Sequence, residues 1–135
     1  MTKDNTKRNI STEVDRGNSA LRAARVLFAE QLFADAVSRA YYAAFHYARA
    51  LLLTIGEEAK THAGVELLLQ RELVRTGRFS PDIGRLLSRL KAYRLDADYS
   101  ADFVFTQPGA EEEISAAVRF IDEANRLLAE GNWLD

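Results

Sequence analysis

The stretch from Phe33 to Ile55, FADAVSRAYYAAFHYARALLLTI, decides the fold. Taken at alternating steps of three and four, Ala34, Val37, Tyr41, Ala44, Ala48, Leu51 and Ile55 fall on one side of a helix, the spacing that buries a seam against a neighbour. A second stripe, Phe33, Ala36, Ala40, Ala43, Tyr47 and Ala50, runs beside the first. The apolar arc is therefore wide enough to meet partners on two sides, which predicts the central helix of a bundle. Its many alanines favour helix and let other backbones come close. The polar exceptions, Arg39, Tyr42, His46 and Arg49, form a third line of near neighbours that faces either solvent or a shared cleft.

Working outward, a first helix is expected from a capping box at Thr12 and Asp15, with Val14, Leu21, Ala24 and Phe28 buried and Gly17 as its weak point. A turn near Gln31 must separate it from the central helix. One unbroken helix from Thr12 to Ile55 would be about 65 Å long, more than a domain of this size can hold. Gly56 is expected to end the central helix, Thr61 to cap a third that stops at Gly77, and Ser80 with Pro81 to open a fourth. The irregular SADFVFTQ, Ser100 to Gln107, reads as a loop packing Phe103 and Phe105 back on the bundle. Pro108 opens the last helix, in which Glu111, Glu112 and Glu113 complement the helix dipole. No period-two pattern survives, so the fold expected is all-α, an up-and-down bundle of four to five helices. Residues 1–10 read as a disordered leader, 11–131 as a single bundle and 132–135 as a tail.

The chain has 135 residues, 47% of them hydrophobic, enough for one core. It has no cysteine, which excludes disulfides, thiolate zinc sites and thiol nucleophiles. No apolar run approaches the roughly 20 residues that span a bilayer, and no hydrophobic signal region opens the chain, so a cytoplasmic protein without a membrane partner is expected. The net charge is −2, so any attraction to nucleic acid has to be local.

Such a local bias exists. Between Arg71 and Arg94 stand seven basic residues against Glu72 and Asp82, either a phosphate-binding surface or a solvated helix face. Arg94 and Asp98 have the spacing of a surface ion pair. Of the two histidines, His46 follows Tyr42 by one turn and reads as a hydrogen-bonded group on a half-buried face. His62 stands at a helix start beside Lys60 and Thr61, where an anion or a simple cap would fit. Neither histidine has a partner at metal-ligand spacing, and neither a metal nor a cofactor is expected.

Three blocks, SRAYYAAFHYARALL from Ser38, KTHAGVELLLQRELVRTG from Lys60 and RLDADY from Arg94, together resemble the HEPN family, in its small stand-alone prokaryotic branch. The resemblance covers roughly Leu21 to Ala129. It implies a helical bundle, a homodimer, and a minimal nucleotidyltransferase encoded alongside; many members are metal-independent ribonucleases of toxin-antitoxin systems, and others bind nucleotides or are inactive. The ribonuclease members carry an arginine followed four to six residues on by a histidine. Arg94 matches the arginine, but Tyr99 stands where the histidine would, and tyrosine, with a reference pKa of about 10, is a poor base for a 2′-hydroxyl. The resemblance therefore carries a phosphate or nucleotide site to Arg94, Asp98 and Tyr99, with Tyr42 and Lys60 as further candidates. Arg94, His46 and His62 remain the candidates for catalysis. Three functions stay open: a nucleotide- or RNA-phosphate-binding module working with a nucleotidyltransferase, a metal-independent endoribonuclease toxin, and a non-catalytic interaction bundle.

Overall fold

The computed structural model of the chain describes residues 2–99 and 104–134, apart from the side chain of Ala97. Its elements are α1 (Lys3–Ala29), α2 (Phe33–Leu53), α3 (His62–Leu68) continuing into a π-helical segment (Leu69–Val74), α4 (Pro81–Tyr99) and α5 (Gln107–Glu130). Among the described residues there is no strand, and the fold is the all-α bundle that the periodicities predict. The centre is α2, which packs against α1, α3, α4 and α5. Both of its apolar stripes are used: Val37, Tyr41, Ala44, Ala48 and Leu51 are buried, and so are Ala36, Ala40, Ala43, Tyr47 and Ala50.

The turn between α1 and α2 falls at Gln31, whose φ of 64° takes the left-handed conformation that reverses the chain. Leu32 N donates to Leu27 O at 2.9 Å, and the rings of Phe28 and Phe33 meet at 5.5 Å to fix the corner. The helix start expected near Thr12 is corrected. The cap is Thr2, whose side chain accepts from Asn5 N, while Thr12 sits mid-helix and donates to Arg8 O. Residues 3–10, read as a leader, form the first turns of α1, and Ile10 anchors them because it is fully buried. At the other end Trp133 turns back, donating from its backbone to Leu128 O and lying under Lys3.

Gly17 is a contact point rather than a weak point. A Cβ there would stand 2.7 Å from Cδ2 of Tyr47 and 3.1 Å from the carbonyl oxygen of Ala43, so the bare backbone lets α1 lie directly on α2. The central helix ends at Leu53, earlier than expected, with Thr54 bonding back to Leu51 O and Gly56 taking a φ of 77° in the turn that follows. Thr61 caps α3 by accepting from Gly64 N at 2.9 Å. Thr106 caps α5, with Pro108 in its first turn, and Phe105 packs on Tyr93 at 5.5 Å. Phe103 lies outside the described residues. The dipole role expected of Glu111, Glu112 and Glu113 is corrected: α5 opens at Gln107 with no acidic residue in its first turn, and Glu112 and Glu113 hold Arg89 of α4 at 3.0 and 2.9 Å.

Candidate functional site

Arg94 reaches from α4 across to α2 with its side chain only 15% exposed. Its Nη1 donates to the Tyr42 hydroxyl at 3.2 Å and pairs with Asp98 at 3.5 Å. The guanidinium carbon lies 5.3 Å from the Tyr41 ring centre and 5.2 Å from that of Tyr42. Arg39, a turn earlier on α2, places its own guanidinium 4.7 Å from the same Tyr42 ring. Two cations thus stand on one phenol, an arrangement the ring's negative face favours but their mutual repulsion opposes. Arg94 Nε is buried without a hydrogen-bond partner among the described residues.

His62 completes this cluster from the start of α3. Its Nδ1 lies 2.6 Å from the Tyr41 hydroxyl, and its ring packs against Phe45 at 4.5 Å and Tyr42 at 6.0 Å. Burial, with the Glu66 carboxylate nearby, pushes the Tyr41 hydroxyl up, so it stays protonated. Burial first, then the charges of Arg94 and Lys91, hold the His62 imidazole below its ordinary value, so the ring is neutral at pH 7. Lys91 also leans on Glu66 at 3.7 Å, while Glu66 Oε1 is buried without a hydrogen-bond partner. Three cations, Arg39, Arg94 and Lys91, thus stand around Tyr42 and His62 against the carboxylates of Asp98 and Glu66.

His46 lies on the same α2 line but turns toward α1. Its Nδ1 is 2.8 Å from Oε2 of Glu13, a carboxylate that also meets Arg16 at 3.4 Å and Arg49 at 3.7 Å. The rings of His46 and His62 share one neighbour, Phe45, at 5.7 and 4.5 Å. Thus the line Arg39, Tyr42, His46 and Arg49 has α1 on one side and the Arg94 cluster on the other.

Of the residues singled out in the sequence, Arg94, Asp98, Tyr42 and His62 come together. Tyr99, five positions beyond Arg94, turns about 140° away around the helix, and it is 79% exposed. Lys60 is exposed just ahead of α3. Most of the basic run is paired off: Arg71 pairs with Glu72, Arg85 with Asp82, Arg89 with Glu112 and Glu113, and Lys91 with Glu66. Tyr41 was legible only as a core residue, and nothing in the sequence marks Glu13 or Glu66 as members of these clusters. No group of acidic and imidazole side chains among the described residues could hold a metal ion, and no helix there is long and apolar enough to cross a membrane.

Comparison with known proteins agrees with this architecture. The chain is 37% identical over 124 residues to a Methanocaldococcus jannaschii protein named "Putative toxin MJ0605", covering 92% of each chain. It is 37% identical over 118 residues to a UPF0332 protein of Gloeobacter violaceus, covering 87% of this chain and 94% of that one. A UPF0332 protein of Thermotoga maritima is 31% identical over 113 residues, 84% of this chain and 86% of its own. Residues 12–130 match the HEPN domain, and the chain belongs to the HEPN family.

Proposed function

We propose that the chain is a toxin-like HEPN module that holds phosphate groups of RNA or a nucleotide on the α2 face where Arg94 and Arg39 crowd Tyr42. The observation that carries this reading is the crowding itself. Two guanidiniums within about 5 Å of one ring, with Asp98 the only carboxylate paired to either among the described residues, carry positive charge that a phosphate would neutralise. Burial chiefly holds His62 down, and the charges of Arg94 and Lys91 add to it against the opposing Glu66 carboxylate. Relatives bearing a toxin name support the functional class. The reading includes action in the cytoplasm as a homodimer beside a minimal nucleotidyltransferase.

The test is fluorescence anisotropy with a labelled single-stranded RNA and with ATP, from about 50 to 200 mM salt. Arg94→Ala and Arg39→Ala should each weaken RNA binding and flatten its logarithmic salt dependence by about 0.7 for each phosphate no longer neutralised. Affinities and slopes equal to wild type in both variants would overturn the site.

A second reading, a metal-independent endoribonuclease, is favoured by the two imidazoles that flank Phe45 on this face. In it Arg94 steadies the phosphate and a histidine outside the family's usual position moves the proton. Intact total RNA after incubation with the purified chain in chelator would end that reading and leave the binding reading in place.

A further inference from the structure

Across the α2 line from Arg94, the contact of α1 with α2 buries a carboxylate. Glu13 is 5% exposed, and a charge withdrawn from water this far needs partners. It has three: His46, Arg16 and Arg49. Burial works against its charge, but the His46 hydrogen bond and the charges of Arg49, His46 and Arg16 outweigh burial, so the carboxyl is held below its ordinary value.

An ionised carboxylate only accepts hydrogen bonds. The hydrogen of the 2.8 Å contact therefore sits on His46 Nδ1, which leaves Nε2 as the ring nitrogen open to a second partner. Nε2 has no hydrogen-bond partner among the described residues. His46 lines a groove of about 460 Å³ between α1 and α2, together with Thr12, Arg16, Ser19 and Arg39, with Asp15 the acidic member. Arg39 joins this groove to the Arg94 cluster, since the same guanidinium stands on Tyr42. Satisfying a buried charge would account for the Nδ1 contact and the two arginines. It does not account for an imidazole that lines the same groove as Arg16 and Arg39. An imidazole fixed at one nitrogen by a carboxylate and open at the other beside cations is the arrangement of a general base at a phosphodiester.

We propose that His46 Nε2, oriented by Glu13, is the base that takes the 2′-hydroxyl proton of an RNA strand lying on this face. Its work is that of the histidine missing after Arg94, and the proposal rests on the ribonuclease reading above. In the step, Nε2 takes the proton and the 2′-oxygen bonds to the adjacent phosphorus. The bond from phosphorus to the 5′-oxygen breaks, with its electron pair staying on that oxygen, which takes a proton from water. The hydroxide so formed is neutralised by the proton that the imidazolium releases. The products are a strand ending in a 2′,3′-cyclic phosphate and a strand beginning with a 5′-hydroxyl, and nothing else is consumed. His46 is the catalytic residue here, and Glu13 is a positioning residue.

The experiment uses the purified full chain with an end-labelled single-stranded RNA in chelator, and the same oligonucleotide fully 2′-O-methylated to measure binding without cleavage. Wild type should release 2′,3′-cyclic phosphate ends, and His46→Ala should lose about 100-fold or more of the rate. Glu13→Gln, matched in shape, should lower kcat about tenfold or more and change the shape of the kcat–pH profile, a change that a loss of folded protein would not mimic. Its melting temperature and helical circular dichroism check the fold, and His46→Gln serves if the alanine variant does not fold. Cleavage by a folded His46 variant at the wild-type rate would overturn the assignment and leave the ribonuclease reading standing. Binding of the methylated strand with no cleavage of the unmodified one would overturn both the assignment and the ribonuclease reading, and leave RNA binding. Binding of neither strand would overturn all three.

Discussion

Substituting Gly17 by alanine sets two effects of known size against each other. In the middle of a helix alanine is favoured over glycine by about 1 kcal/mol, so an α1 that merely lay near α2 would gain stability. The structure opposes that gain. The added Cβ would stand 2.7 and 2.9 Å from two ring carbons of Tyr47 and 3.1 Å from Ala43 O, where carbon contacts normally settle at about 3.5 to 4.0 Å. Tyr47 cannot swing aside, because its ring is 1% exposed and its hydroxyl donates to Asn18 Oδ1 at 2.7 Å. Relief must come from moving α1, and overpacking of this kind costs about 1–3 kcal/mol. Taking the upper half of that range less the propensity gain leaves a net loss of about 1–2 kcal/mol. For a chain of this size that lowers the melting temperature by roughly 3–8 °C. Thermal and urea unfolding followed by circular dichroism would measure it, with the exposed Ser19→Ala as the reference substitution. A Gly17→Ala protein as stable as wild type, or more stable, would show that propensity wins. The close approach of α1, which also sets Glu13 against His46 one turn away, would then be refuted.

The other predictions follow from the two histidine clusters. His62, held below 6.5 by burial and by Arg94 and Lys91, should titrate in an NMR experiment with a midpoint under that value, and Arg94→Ala should move it upward; a midpoint unmoved by that substitution contradicts the Arg94 contribution. Because the folded state resists protonating this ring, His62 contributes stability above its ordinary value that is lost as the pH falls through 6.5. Glu13 has the acid counterpart of this behaviour. Its lowered carboxyl contributes stability above pH 4.5 that is lost as the pH falls through its folded value, so the unfolding free energies of wild type and Glu13→Gln should differ at neutral pH and converge in acid. A gap independent of pH would show that the Glu13 charge is not held by His46 and the arginines.

The parts of the fold legible in the sequence are those set by local chemistry. The double stripe of α2, the reversal at Gln31, the Thr61 cap and the Ser80-Pro81 start each depend on residues within a turn or two of one another. The start of α1 was hidden because Lys3 to Asn9 is polar, and the segment is held by Thr2 at one end and by burial of Ile10 at the other. Gly17 reads as a flaw until the partner helix is known. The same limit applies to charge. Counting Arg71 to Arg94 could not know that Arg89 would be claimed by Glu112 and Glu113 from α5, or Lys91 by Glu66. In the site, Arg94 and Tyr42 were legible through the family resemblance and the polar line on α2. Glu13 was not, since a lone glutamate in an amphipathic helix looks like a solvent-facing residue until α2 brings His46 and Arg49 onto it.

The central claim, that phosphate sits on the α2 face and not on the exposed basic flank, is tested most directly by NMR titration of the labelled chain with a short 2′-O-methylated RNA. The account predicts that the signals of Arg39, Tyr42, His62 and Arg94 shift together along one binding curve. Shifts confined to Arg75 and Arg78, with those four unmoved, would contradict it.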